Sequence, residues 1–248
     1  MKRFAIAAVV SVVASSSFGQ TIFNDFEAAT VGNADMFRAP NFSGSTSGQL
    51  DTGGPNIAQV AAGFGTNSTN VLQVSWQFTS AGNWLRLTTF GGARVPNPLV
   101  DLNQHLKFDV YTDSPLHIAL GIRETGGTGP VGGNGGTTGN IEWIGTSTTM
   151  NSATPAGMAL TTGSWNTVSV HLKGAPAMGF AGGTVNGVLD GDWGVLEHIA
   201  FQKAGADVGP HTVYLDNFRV DTVPEPGSMI ALGAGLAALA ARRRRKAA

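Results

Sequence analysis

The chain has 248 residues, no cysteine, 35 glycines and only 12% charged residues, with a formal net charge of −1. No disulfide staples it, and a glycine-rich, charge-poor composition speaks against a helical bundle. Basic residues crowd the two ends: between Gln20 and Val223 eight basic residues stand against fifteen acidic ones, a net of −7, which excludes a nucleic-acid-binding body because that needs a basic face to displace phosphate counterions.

Met1-Lys2-Arg3 is a positive start, Phe4 to Ala14 an apolar run of eleven residues, and Ser15 to Gly19 offers small residues before a cut. This is the layout of a secretory signal, too short to remain as a bilayer span. Residues 1–19 are therefore read as a signal peptide, and the body begins at Gln20.

The body alternates with period two. Leu72, Val74, Trp76 and Phe78 interleave with Gln73, Ser75 and Gln77, which makes Trp76 a core residue. Leu85, Leu87 and Thr89 oppose Trp84, Arg86 and Thr88, and Leu106, Phe108 and Val110 oppose Lys107, Asp109 and Tyr111. Ile118, Leu120 and Ile122 oppose His117, Ala119, Gly121 and Arg123; Val168, Val170 and Leu172 oppose Ser169, His171 and Lys173; Val213 and Leu215 oppose Tyr214 and Asp216. Each run is bounded by Gly, Pro, Asn or Asp, and no stretch of the body keeps a 3.6-residue period. The expected fold is all-β: an antiparallel two-sheet sandwich over residues 20–222, flanked by an N-terminal signal helix and a C-terminal transmembrane helix.

The body opens on Thr21-Ile22-Phe23-Asn24-Asp25-Phe26-Glu27, passes through Leu106 to Tyr111 and Trp165 to Val168, and closes on Val213 to Val220. This order of segments resembles the galactose-binding-like jelly roll of carbohydrate-binding modules. The resemblance implies one structural Ca²⁺ held by a first-strand acid, Glu27 or Asp25, and the last-strand Asp216, with backbone carbonyls, since hard oxygen ligands suit that ion. It also implies a glycan-binding face. Trp84, Trp143, Trp165, Trp193 and Tyr111 are candidates for stacking on a pyranose, and Arg86, His117, Arg123 and Glu142 could bond its hydroxyls. Trp84 with Arg86, His117 with Arg123, and Glu142 beside Trp143 are the expected glycan face.

Glu124 to Asn140 holds eight glycines in seventeen residues but lacks a Gly-Lys-Ser or Gly-Lys-Thr phosphate loop. The histidines form no H-E-x-x-H or H-x-H pair, and no Gly-x-Ser-x-Gly elbow occurs. A binding module is favoured over a glycosidase or lyase, with a structural matrix protein as the other alternative.

The tail, residues 223–248, has three parts. Pro224-Glu225-Pro226 is an extended segment, Gly227 to Ala241 is fifteen residues without charge, and Arg242-Arg243-Arg244-Arg245-Lys246 closes the run. Fifteen helical residues span about 22 Å, and an arginine cluster stays on the cytoplasmic side. The three parts in this order resemble the PEP-CTERM sorting signal of Gram-negative bacteria. That implies an exosortase, a membrane protease, as partner, transient inner-membrane anchoring through the tail, and delivery to the cell envelope or extracellular matrix, alongside exopolysaccharide in biofilm.

Overall fold

The computed structural model describes residues 20–64, 68–90, 92–125 and 139–221. The expected signal helix (1–19), the tail (223–248) and most of the glycine-rich loop lie outside the described residues. Within them the chain is built of strands, joined by 3₁₀ turns at Pro40–Phe42, Gly44–Thr46 and Leu172–Gly174. Among the described residues no helix is long and apolar enough to cross a membrane.

The strands are β1 (Gln20–Asn24), β2 (Asn56–Ala62), β3 (Asn70–Trp76), β4 (Trp84–Thr88), β5 (Leu99–Asp101), β6 (His105–Thr112) and β7 (Leu116–Glu124). There follow β8 (Ile141–Ile144), β9 (Met158–Ala159), β10 (Trp165–His171), β11 (Ala177–Ala181), β12 (Trp193–Lys203) and β13 (His211–Asp221). One antiparallel sheet has six strands in the order β10-β6-β13-β3-β2, with β1 on β13. The other has seven, β11-β8-β7-β12-β4, with β5 on β12 and β9 on β7.

The alternation seen in the sequence sets which residues face inward. Leu72, Val74, Leu106, Phe108, Val110, Val168, Val170, Val213 and Leu215 from the six-stranded sheet share one buried cluster with Leu85, Leu87, Ile118, Leu120, Ile122, Ile199 and Phe201 from the seven-stranded sheet. Trp76 is fully buried and stacks on Phe201 across the layers, centroids 5.6 Å apart.

β12 is the longest strand with β13, yet it shows no alternation. It is central between β7 and β4, with Gly194 to Gln202 buried on both faces, and a bulge between Leu196 and His198 switches its parity. A strand buried on both sides has no polar face to mark it. β2 lies at a sheet edge and contains Ala58, Ala61 and Ala62, residues with little strand preference.

The last strand carries a second bulge between Asp216 and Arg219, with Asn217 in the left-handed region at φ 54°. The bulge turns Phe218 inward. Its ring stacks on Phe108 at 4.8 Å and meets Phe37, Phe23 and Phe26 at 5.9, 6.0 and 6.1 Å. This knot joins the first strand, the segment after it and the last strand, in a chain with no disulfide to do so. Phe218→Ala is expected to cost about 3–5 kcal/mol of unfolding free energy, read from urea unfolding with an unchanged m-value; a loss below about 1 kcal/mol, the scale of a surface change, would contradict this placement.

Candidate functional site

The outer face of the seven-stranded sheet gathers most of the residues expected to form a glycan face. Trp84 and Arg86 lie on β4, His117 and Arg123 on β7, and Trp143 on β8, with β12 running between β4 and β7. The two tryptophans are not an open platform, however. They are 5% and 2% exposed, meet edge to face at 6.3 Å, and pack with Phe180, Met150, Ala119, Ala156 and Ala200 as a second small core. The physical reason is a strapped loop. The Gln202 carboxamide accepts from the Ala156 N–H at 2.6 Å and donates to the Ser152 carbonyl at 2.7 Å, the Asn83 amide donates to that carbonyl at 3.0 Å, and His117 Nδ1 lies 3.3 Å from the Gly157 carbonyl. Gly121 makes the close packing possible: a Cβ there would sit 2.7 Å from His198 Cβ and 2.9 Å from Trp143.

The charges on this face are paired. Arg123 holds Glu197 through Nε and through Nη2 at 2.8 Å, and both side chains are largely buried. Arg86 Nε donates to Ser43 Oγ at 2.6 Å, and its guanidinium lies 5.2 Å from the centre of the Phe180 ring. Burial depresses the Arg86 pKa, an effect that Glu197 opposes. Burial also holds His198 well below the ordinary imidazole value, and Arg86 and Arg123 push the same way, so its ring is neutral.

Glu142 does not share this face. It points to the other side of β8, where its carboxylate accepts the N–H groups of Asn186 at 2.9 Å and Gly187 at 3.1 Å. Burial raises its pKa in spite of those bonds, and Glu124 and Asp190 raise it further. Glu142 is a clamp for the 186–187 turn. The strict alternation from Trp143 forbids it from joining the tryptophan's side.

The acids expected to hold calcium meet in part. Glu27 Oε1 accepts the N–H of Thr69 at 2.7 Å and of Asn70 at 3.1 Å, and Oε2 accepts the Thr69 hydroxyl. These bonds, the hydroxyl foremost, hold its pKa below the usual carboxylate value. Asp216 is fully buried. Burial pushes its pKa up to about 6, the Ser68 hydroxyl and the Asn217 amide pull it back, and the charges of Asp109 and Glu27 raise it again. Beside them, the backbone carbonyls of Phe26, Glu27 and Ala29 converge on a single nitrogen, Asn70 Nδ2, at 3.4, 3.5 and 3.3 Å. Asp25 stands apart: its Oδ1 caps the Glu27 N–H at 3.2 Å in a local turn. Among the described residues no group of three or more His, Cys, Asp or Glu side chains gathers as a metal site, so a cation here would rest on Glu27, Asp216 and carbonyl oxygens. That donor set, two carboxylates with neutral oxygens, fits Ca²⁺.

The six-stranded sheet presents a different outer face. Trp165, Tyr111, Tyr214, Gln73 and Gln59 stand in register across β10, β6, β13, β3 and β2. Ring centroids are 5.9 Å apart for Trp165 and Tyr111 and 6.2 Å apart for Tyr111 and Tyr214. Phe64, 38% exposed, stacks on Tyr214 at 4.4 Å and 14°, and its carbonyl accepts the Trp165 indole N–H at 3.1 Å. Polar rows flank the aromatic one. On one side Asp109 accepts from Thr167 Oγ1 at 2.8 Å, Asn217 Nδ2 at 3.0 Å and Arg219 Nη1 at 3.3 Å. On the other, Asp113 accepts the Thr212 N–H and Thr212 Oγ1 lies 3.0 Å from Ser75 Oγ.

Comparison with known families adds the tail. The PEP-CTERM protein-sorting motif matches residues 222–245. The chain carries a PEP-CTERM sorting motif. The match covers Pro224, Glu225, Pro226 and Arg242 to Arg245, the residues that the tail's own pattern singles out. No curated protein matches the chain. Solved structures similar to it include carbohydrate-binding modules and an exo-β-agarase, the latter 13% identical with a TM-score of 0.44 over 82% of this chain and 25% of that one. The family 11 module from Clostridium thermocellum, in complex with a β-1,3-1,4-mixed-linked tetrasaccharide, is 16% identical with a TM-score of 0.49, over 84% of this chain and 98% of that one. The family 30 module of the C. thermocellum cellulosomal cellulase Cel9D-Cel44B is 16% identical with a TM-score of 0.42, over 78% and 96%.

Tyr214 and Phe64 are absent from the residues that sequence reasoning singled out for binding. Tyr214 was legible, since it alternates with Val213 and Leu215 and must face outward. Its alignment with Tyr111 and Trp165 depends on strand pairing, which no local pattern encodes.

Proposed function

We propose that this PEP-CTERM protein is exported through its N-terminal signal, sorted by an exosortase-type protease, and placed in the cell envelope or extracellular matrix, where its body binds polysaccharide without turning it over. The observation that carries this reading is the Trp165–Tyr111–Tyr214 row. Aromatic rings that stay partly exposed on a sheet face match the apolar faces of sugar rings, and the neighbouring Gln73, Asp109 and Thr167 match their hydroxyls. The net charge of −7 on the body favours an uncharged glycan over an anionic one. The buried acids Glu124 and Glu142 accept backbone N–H groups of Asp190, Asn186 and Gly187, which favours a turn-holding role for them over a catalytic one.

In affinity electrophoresis through gels containing neutral exopolysaccharides, the protein is expected to be retarded, and Trp165→Ala with Tyr214→Ala to run freely. Retardation that survives both changes but is lost with changes at Arg86 or Arg123 would move the site to the other sheet. Self-association without retardation by any glycan would favour a structural matrix role.

The same reading includes a structural Ca²⁺ held by Glu27 and Asp216 with the carbonyls of the 26–29 segment. What supports it is a buried carboxylate whose pKa the charges of Asp109 and Glu27 raise. The sign follows from the raised pKa. A native value of about 6 above the unfolded one means that the native state holds the extra proton between about pH 4 and 6. Without metal, Asp216 therefore costs stability progressively as pH rises through that window. Calcium needs the ionised carboxylate, so its stabilisation is expected at pH 7.5 and lost by pH 5. Differential scanning fluorimetry with Ca²⁺ against chelator checks this. Asp216→Asn is expected to raise the chelator-treated Tm at pH 7.5 and to abolish the calcium shift; an unchanged shift in that variant would refute the assignment.

A further inference from the structure

At the far end of the same outer face, β10 and β6 place two histidines side by side. His171 is opposite His105 in the strand register, and on the other flank Asp221 of β13 is opposite His105. The imidazoles are stacked, centroids 5.1 Å apart and planes 22° from parallel. His171 is exposed and His105 half-buried. Each ring turns its Nδ1 toward the protein. His105 Nδ1 lies 3.4 Å from Ser169 Oγ. His171 Nδ1 lies against the 172–174 turn, where a Cβ on Gly174 would come within 2.3 Å of it, so that only glycine lets the ring fold back there. Either ring presents Nε2 as a lone-pair donor when Nδ1 carries the proton. A hydrogen bond on one ring nitrogen selects the tautomer that offers the other to a metal. Burial lowers the His105 pKa, with His171 and Lys107 adding to the effect and Asp221 opposing it.

We propose that His105 and His171 form a surface two-imidazole site for a divalent transition ion, with Cu²⁺ bound most tightly. Imidazole suits Cu, Zn and Ni, and the order of affinities across the first row peaks at Cu²⁺. The remaining coordination positions are open to water. Asp221, whose Oδ1 has no hydrogen-bond partner among the described residues and whose Oδ2 accepts the Lys107 ammonium, supplies negative charge beside the site rather than a first ligand. The site is separate from the Glu27–Asp216 corner, and its donors are softer than the oxygens gathered there. Because β10 is the edge of the six-stranded sheet, an ion bridging it to β6 clips an edge strand to its neighbour.

The full chain would be titrated with Cu²⁺ alone and followed by electron paramagnetic resonance, in parallel with His105→Gln, His171→Gln and the double variant. Wild type is expected to show one equivalent with nitrogen coupling from two imidazoles. Each single change should weaken that equivalent by at least about tenfold, the scale on which even outer partners of a metal ligand act. The double variant should bind more weakly than either single one, but by less than the two losses added together, because the first change already breaks the chelate. Melting of each variant in chelator separates lost binding from lost folding. Equal Cu²⁺ affinity in wild type and both single variants, or losses that simply add, would overturn the site.

Discussion

The bulge in the last strand is the constraint on which the body depends. Asn217, held at φ 54° by bonds from its amide to Asp216 and Asp109, shifts the parity of β13 between Asp216 and Arg219. Before the bulge Val213 and Leu215 point into the core and Tyr214 points out. After it Phe218 points in and closes the aromatic knot with Phe23, Phe26, Phe37 and Phe108. One extra residue thus ties the first strand to the last without a disulfide, and it leaves Asp216 buried where a carboxylate is costly. A cation at that corner would relieve the cost that the bulge creates.

The two outer faces meet opposite fates. On the seven-stranded sheet, small residues at Ala119, Gly121 and Ala200 let the rings of Trp84, Trp143 and Phe180 lie down over β7 and β12, and the 150–157 loop seals them. The charge pair left there, Arg123 with Glu197, is mostly desolvated, and such a pair contributes positional specificity more than net stability. On the six-stranded sheet Trp165, Tyr111 and Tyr214 neighbour one another at full size along the row and stay partly exposed, with Phe64 laid against Tyr214 and the edge of Tyr111.

Much of this was legible in the sequence. Alternation alone locates β3, β4, β6, β7, β10 and β13 and sorts their inward residues, including Trp76. It fails where its premise fails. β12 is covered on both sides and bulged, so its run from Val195 to Phe201 carries no polar rhythm. Trp84 and Trp143 sit at outward positions as alternation requires, but whether an outward ring is exposed depends on what a distant loop does. Glu142 next to Trp143 suggests a shared site only if sequence neighbours are taken as spatial ones; on a strand they are on opposite faces. The pairs His105 with His171 and Tyr111 with Tyr214 are set by register, which is a property of two strands at once.

The proposed glycan site is the partly exposed aromatic row rather than the sealed face of the other sheet. The most direct measurement is a map of amide and indole NMR shifts as a neutral glucan or galactan oligosaccharide is titrated in. Saturable shifts are expected at the Trp165 indole and the backbone of Tyr111, Tyr214 and Gln73, with Trp84 and Trp143 unmoved. Shifts centred on Trp84, Trp143 and His198 would contradict it.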